Sequence, residues 1–116
     1  FALMGYSYFS IIDPQRVPKI GIINIGTENN KGLEFLQEAN DILSNSFLQN
    51  NFVGFIEPHN ITSGDCDIIL SDGYTGNIIL KTAEGLPYIE SEKFIEADAS
   101  INSPKKLITV KRVNKT

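Results

Sequence analysis

The apolar residues of this chain form several continuous runs, and between the first two runs lies a segment in which they recur at helical spacing. Residues 19–25 are apolar almost throughout, which is typical of a strand covered on both faces. From Leu33 to Leu43 the apolar side chains recur every three or four residues, as on one face of a helix. Residues 52–56 and a run near Ile68 again indicate strands. This order of strands and helices predicts an α/β fold with a partial parallel sheet and flanking helices.

The segment from Asp67 to Thr82 is the most informative part of the pattern. It predicts a buried strand, a glycine-bearing turn rich in polar side chains, and the first turns of a second helix. In an open α/β sheet such a junction lies at the carboxyl end of a strand, where ligands usually bind. Free backbone N–H groups and the positive end of a helix favour an anion there. The sequence therefore predicts a site for a phosphate-like or oxyanion-bearing ligand.

The amino end of the chain is apolar and aromatic over residues 1–8. Leu3, Met4 and Tyr8 are spaced to share one face of a helix. We therefore expect a short helix before the first strand.

The carboxyl end is less regular than the segments before it. Gly85 and Pro87 are expected to end the second helix. Beyond them, residues 88–98 predict a weak helix, and residues 107–113 alternate as an edge strand does. Half of the ten basic residues lie in the last 12 positions, although the whole chain has a net charge of −4. Because no aromatic residues are interleaved with them, we interpret this end as solvated and expect no nucleic-acid partner.

Length and composition limit the class of protein. With 116 residues, 41% of them hydrophobic, the chain is expected to form one domain at most. No apolar run approaches the roughly 20 residues that span a bilayer, and the amino end lacks the charged region of a secretory signal. The single cysteine, Cys66, excludes an internal disulfide framework and favours a reducing, cytoplasmic setting.

Four segments stand out in order along the chain: residues 24–28 with Lys31-Gly32, then 51–57, 72–77 and 80–85. They resemble motifs of the bacterial PlsX family of phosphate acyltransferases. Phe1 to Gly5 also looks like the end of a helix in that family. The resemblance covers about residues 1–86, and four motifs in the right order are far more specific than a lone glycine loop.

The resemblance implies an enzyme that transfers a fatty acyl group from acyl carrier protein to inorganic phosphate. The acyl phosphate product would feed bacterial phospholipid synthesis. It also implies a fragment of a three-layer α/β/α fold related to isopropylmalate dehydrogenase, a possible homodimer, a cytoplasmic location and no organic cofactor. Family members associate peripherally with the membrane, but the segment thought to touch it is not recognisable here.

The chemistry of this reaction suggests roles for the motif residues. Phosphate must be held close to the acyl carbon, and the developing oxyanion must be stabilised. We expect Lys31 to hold phosphate as a point charge, and the Asn77 amide to donate to the oxyanion with N–H groups around Gly76. Lys31 and Asn77 are therefore the predicted catalytic residues. The predicted substrate- and phosphate-binding residues are Thr27, Glu28, Asp72, Gly73, Thr75, Gly76 and Lys81.

The residues at the start of the second helix have structural alternatives. Asp72 either binds the ligand or simply caps the helix or fixes the turn, and Asn77 is also a suitable N-cap. Gly73 and Gly76 either serve the backbone conformation alone or let the backbone approach a ligand closely. Their spacing does not supply the three glycines of a dinucleotide-binding fingerprint.

The charged and hydroxyl-bearing candidates have alternatives as well. Thr27 offers a hydroxyl donor, while Lys31 taken alone is an ordinary solvated loop lysine. Glu28 either orients Lys31, binds a ligand hydroxyl or is a surface carboxylate. Lys81 either raises the local potential or pairs with Glu84 three residues later.

Two further residues are interpreted as having no role in catalysis. Cys66 has no obvious base beside it and is expected to be a small buried residue rather than a nucleophile. His59 is the only histidine, and a metal site needs more histidine or cysteine ligands than this chain offers. We therefore expect neither a metal site nor a Ser-His-Asp triad.

The sequence also departs from the family pattern. Pro58 replaces a residue that is usually small, and Asn60 replaces one that is usually aspartate. Residues 87–116 look unrelated to the family, so we divide the chain into a partial acyltransferase domain at 1–86 and a divergent, weakly structured charged tail at 87–116. Three hypotheses follow: a site-bearing fragment of an acyltransferase, a non-catalytic module that binds phosphate or the carrier protein, and a remnant without activity.

Overall fold

The computed structural model describes residues 1–85, 93–98 and 106–112 of the chain. Helices and strands follow one another in an order that confirms the α/β prediction. They are α1 (Ala2–Ile12), β1 (Ile20–Ile23), α2 (Glu34–Ser44), β2 (Phe52–Ile56), a 3₁₀ turn (Pro58–Asn60), β3 (Ile68–Asp72), α3 (Gly73–Glu84), β4 (Lys93–Asp98) and β5 (Lys106–Arg112).

The strands form one sheet in the order β2-β1-β3-β5-β4. The central strand β1 pairs in parallel with β2 on one side and with β3 on the other. Strand β5 runs antiparallel to both β3 and β4. The predicted parallel sheet is therefore present as three strands, and an antiparallel pair extends it at the β3 side.

Helices cover both faces of the parallel strands because β1 and β3 direct apolar side chains alternately to each face. The first cluster joins the sheet to α1 and to the turn after α2, and its buried members are Ala2, Phe9, Ile20, Leu48 and Ile68. The second lies on the opposite face, with Ile79 of α3 packed against it, and its buried members are Ile23, Ile56, Cys66 and Ile69. Both faces of β1 are buried, which explains its continuous apolar sequence.

Helix α1 differs from the prediction in length and in the face that it buries. It extends to Ile12 rather than ending near Tyr8. The apolar face of Leu3, Met4 and Tyr8 is exposed, and the helix instead packs on the sheet through small or aromatic residues on its other side. Those buried residues are Ala2, Gly5 and Phe9. Leu3, Met4 and Tyr8 do lie on one side of the helix, as their spacing predicts. The side that carries the small residues Ala2 and Gly5 can approach the sheet more closely, and that side is buried.

The amino edge of the parallel sheet holds a buried charge. Asp67, just before β3, is 6% exposed. One of its carboxylate oxygens accepts a hydrogen bond from the Arg16 guanidinium, and the other accepts from the backbone N–H of Lys19 at 2.9 Å. The guanidinium also lies 5.5 Å from the centroid of the Phe9 ring. The carboxylate is therefore paired within the fold.

Cys66 lies beside this group and is 3% exposed. Burial raises the pKa of its thiol to about 12, although backbone hydrogen bonds oppose that rise. Since the thiolate is the reactive form, the thiol is inert near neutral pH. The interpretation of Cys66 as a small buried residue is confirmed.

The carboxyl-terminal strands correct two expectations. Where a weak helix was predicted over residues 88–98, residues 93–98 form β4 instead; residues 88–92 lie outside the described residues. The strand predicted at 107–113 is present as β5, but it lies between β3 and β4 and is not an edge strand; residue 113 lies outside the described residues. Pairing with β3 is a long-range interaction, which the local pattern does not encode. The division of the chain at residue 86 stays a prediction.

Candidate functional site

A cleft of about 410 Å³ opens where β1 and β3 end, at the carboxyl edge of the parallel sheet. The loop between β1 and α2, the first turn of α2, the turn after β2 and the start of α3 form its walls. The lining residues are Ile23, Asn24, Ile25, Gly32, Leu33, Leu36, Pro58, Asp72 and Thr75. The cleft therefore lies at the position in the fold where the sequence predicts a ligand site.

The start of α3 differs from the predicted strand, turn and helix. Strand β3 ends at Asp72 and α3 begins at Gly73, so no separate turn stands between them. Asp72 is the N-cap: its Oδ1 accepts from the backbone N–H of Thr75 at 2.9 Å, and its Oδ2 accepts from Thr75 Oγ1 at 2.8 Å. The capping interpretation of Asp72 is confirmed, and a carboxylate already occupies part of the helix N-terminus.

This geometry changes which backbone groups can bind an anion. The donors without an intrahelical partner at a helix start are those of the cap and the first three residues. Asp72 uses the N–H of Thr75 and itself belongs to strand β3, which leaves the N–H groups of Gly73 and Tyr74 as candidates. The N–H of Gly76 falls within the regular hydrogen-bonding pattern of the helix and is not a free donor. The backbone donors available to an oxyanion are therefore those of Gly73 and Tyr74, about one turn closer to the cap than the donors expected around Gly76.

Asn77 occupies the fifth position of α3 and is exposed. It is not the N-cap, so that alternative is wrong. Its side chain does not line the cleft. Gly76 is buried on the other side of the helix. The structure thus places the predicted catalytic amide of Asn77 outside the cleft, one helical turn beyond the capped start of α3.

A buried asparagine holds the loop between β1 and α2 in shape. Asn24 is 4% exposed; its Nδ2 donates to the carbonyl oxygen of Lys31 at 2.9 Å, and its Oδ1 accepts from the N–H of Ile25 at 2.8 Å. Gly32 packs directly on this amide with φ of +82°, and a Cβ atom there would lie 2.0 Å from Asn24 Oδ1. Only glycine fits both the conformation and the space. Asn24 therefore fixes the loop that carries Lys31.

The predicted residues of this loop are exposed on its outer side. Lys31 Nζ lies 4.0 Å from Glu28 Oε1, so the contact needed for Glu28 to orient Lys31 is present. Both side chains fold over the buried Gly26, where a Cβ atom would lie 2.6 Å from Glu28 Oε2. Thr27 is exposed nearby. An exposed ion pair contributes little stability, so these charges remain accessible to a ligand.

Lys81 lies far from the cleft. It is exposed in the last turn of α3, about 12 Å along the axis from Gly73 at the helical rise per residue. Among the ion pairs found within residues 1–85, none joins Lys81 to Glu84. The structure therefore brings Asp72, Thr75 and the Lys31 loop to one edge of the sheet, and it places Lys81 at the other end of the helix.

Residue-level reasoning missed Asn24, Leu33 and Leu36 as parts of the site. The signal for Asn24 was present, because an asparagine directly follows a strand that is apolar on both faces. A buried polar side chain there must find partners, and the following loop supplies them. Leu33 and Leu36 carried no such signal, since apolar residues at the start of a helix are usually core residues.

Among the described residues, no group of three or more histidine, cysteine, aspartate or glutamate side chains is placed to bind a metal. No helix in the described part of the chain is both long and apolar enough to cross a bilayer.

Comparison with known proteins identifies relatives. A family model described as "Fatty acid synthesis protein" matches residues 1–101, which extends past the predicted end of the resemblance near Leu86. The chain is 51% identical over 86 residues to a protein of Clostridium tetani named "Phosphate acyltransferase", covering 74% of this chain and 25% of that protein. Proteins of the same name from Gluconacetobacter diazotrophicus and Methylococcus capsulatus share 46% identity over 85 residues and 40% over 100 residues.

These matches cover most of this chain but only a small part of each relative. They include 73% and 86% of this chain but only 23% and 29% of the Gluconacetobacter and Methylococcus proteins. The chain therefore spans about a quarter of the length of the relatives that it matches. The resemblance to phosphate acyltransferases is confirmed, and the chain belongs to the fatty acid synthesis protein family.

Proposed function

We propose that this chain contributes part of an active site that transfers an acyl group from acyl carrier protein to inorganic phosphate. The observation that carries the proposal is the cleft at the carboxyl edge of the sheet. Its walls are mainly apolar, while the start of α3 and the Lys31 loop bring donors and a positive charge to the same edge. An acyl group and an anion are the two partners that such an arrangement suits.

The reaction needs little acid–base chemistry from the protein. A phosphate oxygen attacks the thioester carbonyl carbon, the tetrahedral oxyanion collapses, and the C–S bond breaks to release the carrier's thiolate. That thiolate is a fair leaving group, so a strong general acid is not required. Cys66 is unsuited to forming an acyl-enzyme because it is buried and the pKa of its thiol is raised to about 12. Direct transfer to phosphate is therefore the mechanism that we propose.

The proposed roles of Lys31 and of the start of α3 follow from their positions. Lys31, exposed beside Glu28, attracts phosphate as a point charge. The free N–H groups at Gly73 and Tyr74 stabilise the oxyanion with the positive end of α3. Asn77 lies outside the cleft, and the proposed donation of its amide to the oxyanion is what Asn77→Ala tests.

Two further roles are proposed from the chemistry of the reaction. Thr27 supplies a hydroxyl donor, and Lys81 raises the potential along the exposed side of α3. We propose a cytoplasmic protein that acts on acyl carrier protein, with a second copy of the chain as a possible partner.

The test is phosphate-dependent release of free thiol from acyl carrier protein loaded with a fatty acyl group. The purified chain is incubated with the substrate, with and without inorganic phosphate, and released thiol is measured with a chromogenic disulfide at neutral pH. Cys66 should add no background because it is buried and protonated. We expect release to require phosphate and to fall at least tenfold in Lys31→Ala and in Asn77→Ala.

Matched controls come from the other edge of the sheet. Lys19→Ala removes an exposed lysine at the amino edge, and Asn50→Ala removes an exposed asparagine; both should retain the parent rate. No phosphate-dependent release from a folded chain would contradict catalysis. Phosphate or carrier binding without release, weakened more by Lys31→Ala than by Asn77→Ala, would support the non-catalytic binding module instead. Indifference to both substitutions would support the remnant without activity.

A further inference from the structure

Helix α2 holds the loop that precedes it through one side chain. Gln37, the fourth residue of α2, directs its amide nitrogen Nε2 at three successive backbone carbonyl oxygens of the Lys31 loop. The distances are 3.3 Å to Asn30 O, 3.5 Å to Lys31 O and 3.2 Å to Gly32 O. Carbonyl oxygens only accept hydrogen bonds, so the group that faces them must be the donor end of the amide. Two N–H groups of one side chain are therefore shared among three consecutive carbonyls.

The same stretch of backbone is held at Lys31 from two other directions. The Lys31 carbonyl also accepts from Asn24 Nδ2 at 2.9 Å, and the Lys31 N–H donates to Glu28 O at 3.0 Å. Carbonyl oxygens that converge on one point repel one another unless a donor lies between them. The Gln37 amide supplies that donor, so it keeps the end of the loop folded against α2.

The charged end of Lys31 has no comparable support. Its side chain is half exposed, and Nζ lies 4.0 Å from an exposed Glu28 carboxylate oxygen. An ion pair of this kind contributes little to holding a side chain in place. The position of the charge therefore depends on the backbone that carries it. Gln37 is not among the described residues that line the cleft, so any effect on a ligand there passes through the loop.

We infer that Gln37 is a positioning residue for the anion site. Its amide holds the Lys31 loop in the conformation that places the Lys31 charge at the carboxyl edge of the sheet. This inference rests on the proposed function, in which Lys31 attracts phosphate. Without the donor, the three carbonyls separate and the charge is spread over several positions, so phosphate binds less tightly.

Two substitutions remove the donor while keeping the length of the side chain. Gln37→Met replaces the amide with an apolar group, and Gln37→Glu sets a carboxylate against the three carbonyls. The dissociation constant of inorganic phosphate is measured by calorimetric titration at neutral pH. We expect it to rise about fivefold in Gln37→Met, as for one lost hydrogen bond, and further in Gln37→Glu. Gln49→Met and Gln49→Glu are the matched controls, since Gln49 is exposed beyond the end of α2, and both should bind phosphate as the parent does.

Dependence on Lys31 distinguishes positioning from a general loss of structure. In a chain that already carries Lys31→Ala, adding Gln37→Met should leave the remaining affinity for phosphate unchanged, because the charge that Gln37 positions is gone. Amide hydrogen exchange followed by NMR reports on the loop without any ligand. Exchange of the Lys31 N–H should become several-fold faster in Gln37→Met and stay at the parent rate in Gln49→Met.

The outcomes separate this inference from the proposed function. Weaker phosphate binding by the Gln37 variants only when Lys31 is present supports the inference, even if no thiol is released from the carrier. Equal weakening with and without Lys31 would overturn it, because Gln37 would then act on another part of the site. Unchanged binding in both Gln37 variants, with binding weakened by Lys31→Ala, would overturn the inference and leave the proposed function intact. Parent-like phosphate binding by Lys31→Ala would overturn the proposed role of Lys31, and the inference with it.

Discussion

The two edges of the parallel sheet use polar side chains in different ways. At the amino edge, Asp67 is buried and bound by Arg16 and by the backbone of Lys19. At the carboxyl edge, Asn24 and Asp72 are also hydrogen-bonded, but their bonds shape loops around an open cleft. Polar groups at the first edge hold the fold together, and those at the second shape the loops around the cleft. The predictions below test that division.

Removing the carboxylate at the amino edge should cost the most stability. Asp67→Ala leaves the Lys19 N–H and the Arg16 guanidinium without their acceptor. Because Asp67 is buried but Arg16 is half exposed, we expect a loss of about 3 kcal/mol in the free energy of unfolding, at the lower end for a broken buried pair. Urea denaturation followed by circular dichroism measures the change.

The control for Asp67 is a carboxylate that forms no ion pair within residues 1–85. Asp41→Ala, on the exposed side of α2, should change the free energy of unfolding by less than about 0.5 kcal/mol. If both variants lost the same stability, the buried pair would not be what holds the amino edge.

Gly32→Ala should have the next largest effect, and it acts at the carboxyl edge. The substitution forces a side chain into a left-handed conformation and pushes the new Cβ against the Asn24 amide, 2.0 Å away. We expect a loss of about 2 kcal/mol, the sum of backbone strain and a weakened buried hydrogen bond. Denaturation measures the loss, and phosphate-dependent thiol release should fall with it because the Lys31 loop moves.

Gly64→Ala separates the two causes. Gly64 has a nearly equal φ of +83°, but no atom of the described residues lies within 4 Å of its added Cβ. It should lose only the strain, about 1 kcal/mol, and leave thiol release unchanged. Equal losses in both variants would mean that the contact with Asn24 does not hold the loop.

Removing the charge of Asp72 should change ligand binding more than stability. Asp72→Ala loses the N-cap and should cost about 1 kcal/mol, whereas Asp72→Asn keeps a capping oxygen and should cost a few tenths. Both remove a negative charge from the α3 N-terminus, so we expect either variant to bind inorganic phosphate several-fold more tightly. Calorimetric titration with phosphate measures this, and weaker binding in Asp72→Asn would show that the carboxylate itself assists the ligand.

Sequence reasoning located the edge of the sheet that holds the cleft and two of its lining residues, Asp72 and Thr75, but not Asn24, Leu33 or Leu36. The apolar runs predicted β1, β2 and β3 because burial on both faces leaves a local signature. The sequence left open whether Asp72 caps the second helix or fixes a turn, because its bond to Thr75 is visible only once the helix start is fixed. The inner strand β5 was predicted as an edge because its partner β3 is more than 30 residues away in sequence. Local patterns encode burial, whereas these features depend on which segments meet.

The smallest expected effect concerns Cys66 and the pH dependence of stability. Burial raises the pKa of its thiol from 9.0 to about 12, so the folded state favours the protonated form. This stabilisation is complete below pH 9, declines as pH rises from 9 towards 12, and is lost beyond it. Between pH 8 and 9.5 the free energy of unfolding should fall by about 0.8 kcal/mol more in the parent chain than in Cys66→Ala. Denaturation at both pH values measures the difference, and the subtraction removes groups that titrate alike in the two proteins. Equal pH dependence would mean that Cys66 ionises as readily in the folded chain as in the unfolded one, and that the amino edge is more open to water than its buried Asp67 indicates.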